Sequence, residues 1–127
     1  MTITNKEYME GVLKTESCDF EKIKERMTDA IIRLNHAITG ICTEAGEIAD
    51  GLKKHIFYGK PLDKVNMVEE LGDLYWYINI AQDVLDITTE EVQAINNAKL
   101  RARYGSKFSE EAAINRDLEK ERKILEG

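Results

Sequence analysis

Apolar positions along this chain recur at helical rather than strand spacing. β-Branched residues form no alternating runs, and a single proline, Pro61, interrupts an otherwise helix-compatible sequence. The pattern predicts an all-α fold. Thr4 with Glu7, and Thr88 with Glu91, have the spacing at which a threonine hydroxyl and a glutamate carboxylate cap the first free amides of a helix, so helices are expected to start at both places. The first is expected over about residues 4–14. A long helical region follows over about 19–57, with a break expected near Thr39 and Gly40, where a β-branched residue meets a flexible one. Gly59 suits a left-handed C-cap, Pro61 follows it, and Asp63 can cap a helix running to about Leu85. Another is expected over about 89–104. After the interruption "YGSKF", Ser109 can start a charged final helix to about residue 125. Its apolar seam is only Ile114, Leu118 and Leu125, so this tail is expected to dock on a partner subunit or fray. With no tandem repeat, the whole of 1–127 is expected to be one domain, its core over about 28–108 and the last helix peripheral.

Two stretches place carboxylates where this pattern asks for a core. In "EELGDLYWY" (69–77), a helix sets Asp73 about 300° and Tyr77 about 340° around from Glu70, with Leu74 near 40°. In "TEAGEIAD" (43–50), Glu47, Gly51 and Ile48 stand in the same relation to Glu44. Both acidic pairs therefore share a face with apolar residues. Four carboxylates gathered in a partly apolar interior repel one another and resist desolvation, which calls for a cation. Oxygen donors from two helices suit a hard ion such as Mg²⁺ or Mn²⁺, whereas zinc usually brings histidine or cysteine. A ferritin-like di-iron site needs Glu-x-x-His, and neither His36 nor His55 follows a glutamate by three. The plainer alternative is that Glu44, Glu47, Glu70 and Asp73 lie on solvated faces or pair with lysines such as Lys53 and Lys54.

Charge narrows the partners. Acids outnumber bases 24 to 18, a net charge of −6, and the basic residues are scattered, which argues against a nucleic-acid groove or an anionic membrane surface. No run approaches the roughly 18 apolar residues of a membrane span, and "MTITNKEYME" lacks a signal-peptide pattern, so the expected location is cytoplasmic. Cys18 and Cys42 form no disulfide or thiolate-metal pattern and are expected as small buried hydrophobes. A cation that keeps several waters is apparatus for a polyphosphate, which would also need basic contacts. Lys99 and Arg103, four apart in "NNAKLRARYG" beside Asn96 and Asn97, can supply them, although exposed Lys and Arg at this spacing are routine.

Taken together, "EAGEIADGLKKHIFYGKPLD", "EELGDLYWY" and "KLRARYG" resemble the MazG-like all-α nucleoside triphosphate pyrophosphohydrolases, relatives of dCTP pyrophosphatases and dimeric dUTPases, over about residues 30–108. The resemblance implies a Mg²⁺-dependent helical bundle of at least two subunits that hydrolyses a nucleoside triphosphate to the monophosphate and pyrophosphate. It implies Glu44, Glu47, Glu70 and Asp73 as metal ligands, with Glu69 as an outer helper. Lys99 and Arg103 would contact phosphate, Tyr77 would lie beside the nucleotide, and Asn35 and His36 fall in a stretch that often faces base or sugar. Glu47 or Glu44 would take the proton of the attacking water. Tyr75 and Trp76 are expected mainly in core or subunit packing, and Phe57 and Tyr58 could close over a base. Gly40, Gly46 and Gly51 allow close helix approach, and a four-helix core completed by dimerisation would cover faces that one short chain leaves bare. A homodimer or a dimer of dimers is expected, with the acidic sites near the subunit interface. The expected activity is a pyrophosphohydrolase acting on a dNTP in nucleotide-pool cleaning. The contrasting reading is a non-catalytic nucleotide-binding or helical interaction module, which would be expected to have lost one of the four acids.

Overall fold

The computed structural model describes residues 1–127. It contains seven helices and no strand: α1 (Asn5–Thr15), α2 (Phe20–Arg26), α3 (Asp29–Tyr58), α4 (Lys64–Leu85), α5 (Thr89–Tyr104), α6 (Glu110–Ile114) and α7 (Leu118–Glu126). This is the all-α fold that the periodicity predicts. The chain divides into two compact units, Met1–Ile32 and Arg33–Gly127.

In the first unit, Thr4 and Glu7 form the reciprocal cap: the Glu7 amide donates to Thr4 Oγ1 at 3.2 Å and the Thr4 amide to Glu7 Oε2 at 2.8 Å. Asp19 caps α2 by accepting from the Lys22 amide. The long helical region breaks between α2 and α3, and not at Thr39–Gly40 as the sequence suggested. Met27 leaves helical geometry at φ −81° and ψ 62°, and Thr28 Oγ1 accepts from the Ile31 amide to restart the helix. Thr39 and Gly40 stay inside α3, where Gly40 is buried and has a packing role.

In the second unit, α3 from Arg33 onward and α4 run antiparallel. Arg33 pairs with Asp83 at 2.6 Å near one end, Gly40 meets Tyr77, and Gly51 meets Met67 toward the other. The Tyr77 ring occupies the space a side chain at Gly40 would fill, with Tyr77 Cδ1 2.2 Å from where a Cβ would stand. Gly51 leaves a looser fit against Met67, and Gly46 faces nothing within 4 Å, so of the three glycines only Gly40 is required for close approach. The turn between the helices follows the expected chemistry: Gly59 takes φ +68°, and Asp63 Oδ1 accepts from the Val65 and Asn66 amides. At the far end Asp86 adopts a left-handed φ of 52°, after which Thr88 and Glu91 cap α5 reciprocally.

The tail differs from its expectation twice. It is two helices, because Asn115 leaves helical geometry and Asp117 caps a new start by accepting from the Lys120 amide. It also docks on α5 of its own chain, where Glu121 meets Arg103, and not through its thin apolar seam: Ile114, Leu118 and Leu125 are all exposed. Only Ala37 and Ala81 among the apolar residues are buried. Leu71, Tyr75 (64% exposed) and Trp76 (58%) stand bare on α4, as do Ile38, Ile56 and Phe57 on α3, so the packing expected of Tyr75 and Trp76 is not met within one chain. Cys18 and Cys42 are likewise exposed, against the expectation of buried thiols, because the chain by itself has almost no interior to bury them in.

Candidate active site

The antiparallel register of α3 and α4 decides which carboxylates meet. Glu44 from α3 faces Glu70 and Asp73 from α4, and one carboxylate oxygen from each can be chosen so that all lie within 4.8 Å of one another. Glu44 and Glu70 are half-buried and Asp73 is exposed. Burial, first, and then a hydrogen bond and repulsion from Glu44, with further repulsion from Glu47 and Glu69, push the Glu70 carboxyl above the ordinary carboxylate range. The cluster thus lacks positive charge of its own, and three oxygen donors with no nitrogen or sulfur fit a hard divalent cation.

No lysine neutralises these acids. Lys53 and Lys54 both turn to Asp50, at 3.4 and 2.5 Å, and Glu44, Glu47, Glu70 and Asp73 form no ion pair at all. Glu47, one turn beyond Glu44, lies outside the three-carboxylate group. It lines an adjoining cleft of about 400 Å³ together with Glu70, Asp50, Lys54, Lys60 and Asn66. Glu69 is exposed and acts on Glu70 only as a nearby charge.

The residues expected at the nucleotide divide between two places. Tyr77 is half-buried over Gly40, and its ring meets His36 edge-on at 5.6 Å between centroids and Trp76 at 5.0 Å. Asn35, His36, Phe57 and Tyr58 are exposed on α3. Asn96, Lys99 and Arg103 lie on α5, and none of them bonds to α3 or α4. Lys99 makes no ion pair. Arg103 is committed elsewhere: its Nε and Nη2 donate to the two Glu121 carboxylate oxygens at 2.7 and 2.9 Å, while Arg116 Nη2 donates to Oε2 at 2.6 Å. The Arg103 side chain is 14% exposed and that of Glu121 is 6%. Hydrogen bonds from Arg103, then Arg116, hold the Glu121 carboxyl at about 2, far below its ordinary value. Nothing in the sequence marks Glu121 among its neighbours "DLEKERK", because the partnership spans 18 residues and depends on how the tail folds back.

No curated protein and no solved structure matches this chain. A match to the MazG nucleotide pyrophosphohydrolase domain, however, runs over residues 32–108, taking in the three-carboxylate group, Glu47, Tyr77 and Lys99, and the chain belongs to that family.

Proposed function

We propose that this chain hydrolyses a nucleoside triphosphate, specifically a deoxynucleoside triphosphate, to the monophosphate and pyrophosphate, with Mg²⁺ as the cation and Mn²⁺ able to replace it. The convergence of Glu44, Glu70 and Asp73 without any lysine partner carries this reading. When bound there, the cation would offset phosphate charge and make a nearby water more acidic. Glu44, Glu70 and Asp73 are assigned to hold it. Glu47 is assigned as proton acceptor for the attacking water, because it stands beside the group without belonging to it and lines the cleft next to Glu70. Tyr77 and His36, packed edge to face, are assigned to the nucleoside side, with Asn35 adjacent. Lys99 remains unpaired and available to phosphate, as is Asn96 beside it. Arg103 would reach a phosphate only on leaving Glu121.

The bare apolar residues of α3 and α4 support assembly as a homodimer, or a dimer of such dimers, that buries them. Pyrophosphate release from a panel of NTPs and dNTPs, with and without Mg²⁺, tests the activity. Release from dNTPs that stops on chelation is expected, and Glu47→Gln should abolish it while leaving Mg²⁺ binding in place. No release from any nucleotide would sink the proposal in favour of a binding module.

A further inference from the structure

The cleft beside the carboxylate group is lined by groups of both signs. Glu47 and Glu70 line it, both free of ion pairs. Lys54 and Lys60 line it too. Helical spacing puts Glu44, Glu47, Gly51 and Lys54 on the stripe of α3 that looks toward α4. The other two carboxylates lining the cleft are already engaged: Asp63 caps α4 through the Val65 and Asn66 amides, and Asp50 holds Lys53 and Lys54. The Lys54 ammonium also feels the charge of Glu47. Lys60 makes no ion pair, and its backbone is pinned on both sides. Its amide donates to the Lys54 carbonyl at 3.2 Å, and His55 Nδ1 donates to its carbonyl at 2.7 Å. A lysine with a pinned backbone and no ion-pair partner thus lines a cleft whose volume falls within the range of about 300–1,000 Å³ typical of small-molecule sites.

We propose that Lys60 and Lys54 bind the pyrophosphate end of the substrate, so that the nucleotide lies along the α3–α4 hairpin with its nucleoside toward His36 and Tyr77. The order of groups along the helix gives this polarity. His36 precedes Glu44 by about 12 Å of helix axis, and Lys54 follows it by about 15 Å. The aromatic pair, the carboxylate group and the lysines therefore succeed one another as nucleoside, scissile phosphate and leaving pyrophosphate would. An anion approaching Glu47 and Glu70 needs positive charge beyond that of one cation, and the lysines lining the same cleft can supply it. Asp50 is a positioning residue that keeps Lys54 turned into the cleft.

This assignment rests on the pyrophosphohydrolase reading, and its test separates the two. The full-length chain, Lys60→Ala, Lys54→Ala and Lys60→Arg are titrated calorimetrically with inorganic pyrophosphate at saturating Mg²⁺, and separately with Mg²⁺ alone and with a nucleoside monophosphate. Each alanine variant should weaken pyrophosphate binding about tenfold or more, the loss of one charge-assisted hydrogen bond, while Lys60→Arg retains most of it. Binding of Mg²⁺ and of the monophosphate should be unchanged. Undiminished pyrophosphate affinity in both alanine variants would overturn the assignment. So would an equal fall in Mg²⁺ affinity, or wild-type protein that binds no pyrophosphate. Absence of turnover on every nucleotide would count against the hydrolase reading, while the pyrophosphate titration would still judge the lysines.

Discussion

Gly40→Ala tests the seam on which the site is built. A Cβ at this position would stand 2.2 Å from Tyr77 Cδ1 and 2.5 Å from Cγ, where carbon atoms in contact prefer about 3.5–4.0 Å. Turning the ring about its own axis cannot clear Cγ, so either Tyr77 leaves its rotamer or α3 and α4 separate by about 1 Å. Overpacking of this kind costs about 1–3 kcal/mol. Replacing a helical glycine by alanine returns about 1 kcal/mol through propensity. The net expectation is a loss of about 0–2 kcal/mol, a fall in Tm of up to about 8 °C for a chain of this length. Gly46→Ala is the internal comparison: nothing lies within 4 Å of its Cβ, so propensity alone should raise stability by about 0.5–1 kcal/mol. Both are read by thermal melting at one chain concentration, since assembly would make Tm depend on concentration. In a Tyr77→Ala background, Gly40→Ala should become neutral or stabilising. Gly40→Ala melting above wild type would refute the packing argument, and a loss at Gly46→Ala would put that position under a second subunit.

Three further outcomes are expected. Asp73→Asn should weaken Mg²⁺ binding at least about tenfold in a calorimetric titration while changing Tm little, since Asp73 is exposed; unchanged metal affinity would remove it from the ligand set. Because the Glu70 pKa is raised in the folded chain above its ordinary 4.5, the unfolded chain gives up this proton first, and metal-free protein should lose stability as pH rises from 4.5 through the folded value. Saturating Mg²⁺ should suppress that loss, and a Tm–pH curve identical with and without Mg²⁺ would contradict the assignment. Glu121 has the opposite sign: its folded pKa of about 2 gives a contribution fully present above 4.5 and lost as pH falls toward 2. Hydrogen exchange in α7 should therefore accelerate selectively in acid and, at neutral pH, in Glu121→Gln; equal protection of α7 in that variant would show that the ion pair does not hold the tail.

The helices were legible because their signals are local. Thr4 with Glu7, Thr88 with Glu91, Gly59 and Asp63 each act within one turn, so spacing along the chain was enough to place four helix ends. The apparent break at Gly40 failed as a prediction for the same reason: a glycine reads locally as weakness, and only the ring of Tyr77, 37 residues on, shows that the missing side chain makes room for a neighbour. The split of the tail was missed although Asp117, its cap, is local. Its docking on α5 was not local at all, since it depends on Glu121 meeting Arg103.

The candidate site divides in the same way. Periodicity alone put Glu44 with Glu47, and Glu70 with Asp73, on one face of their helices, because 100° per residue is a property of any helix. Which of them converge was decided by the antiparallel register of α3 and α4, which brings Glu44 to Glu70 and Asp73 and leaves Glu47 on the neighbouring cleft. Composition counted the lysines and arginines, but only tertiary geometry showed that Asp50 takes Lys53 and Lys54, that Glu121 takes Arg103, and that Lys60 is left without a partner at the cleft. The physical reason is range: backbone hydrogen bonds and caps act over three or four residues and are written into the chain's order, whereas a charge is neutralised by whatever the folded helices bring within a few ångströms of it.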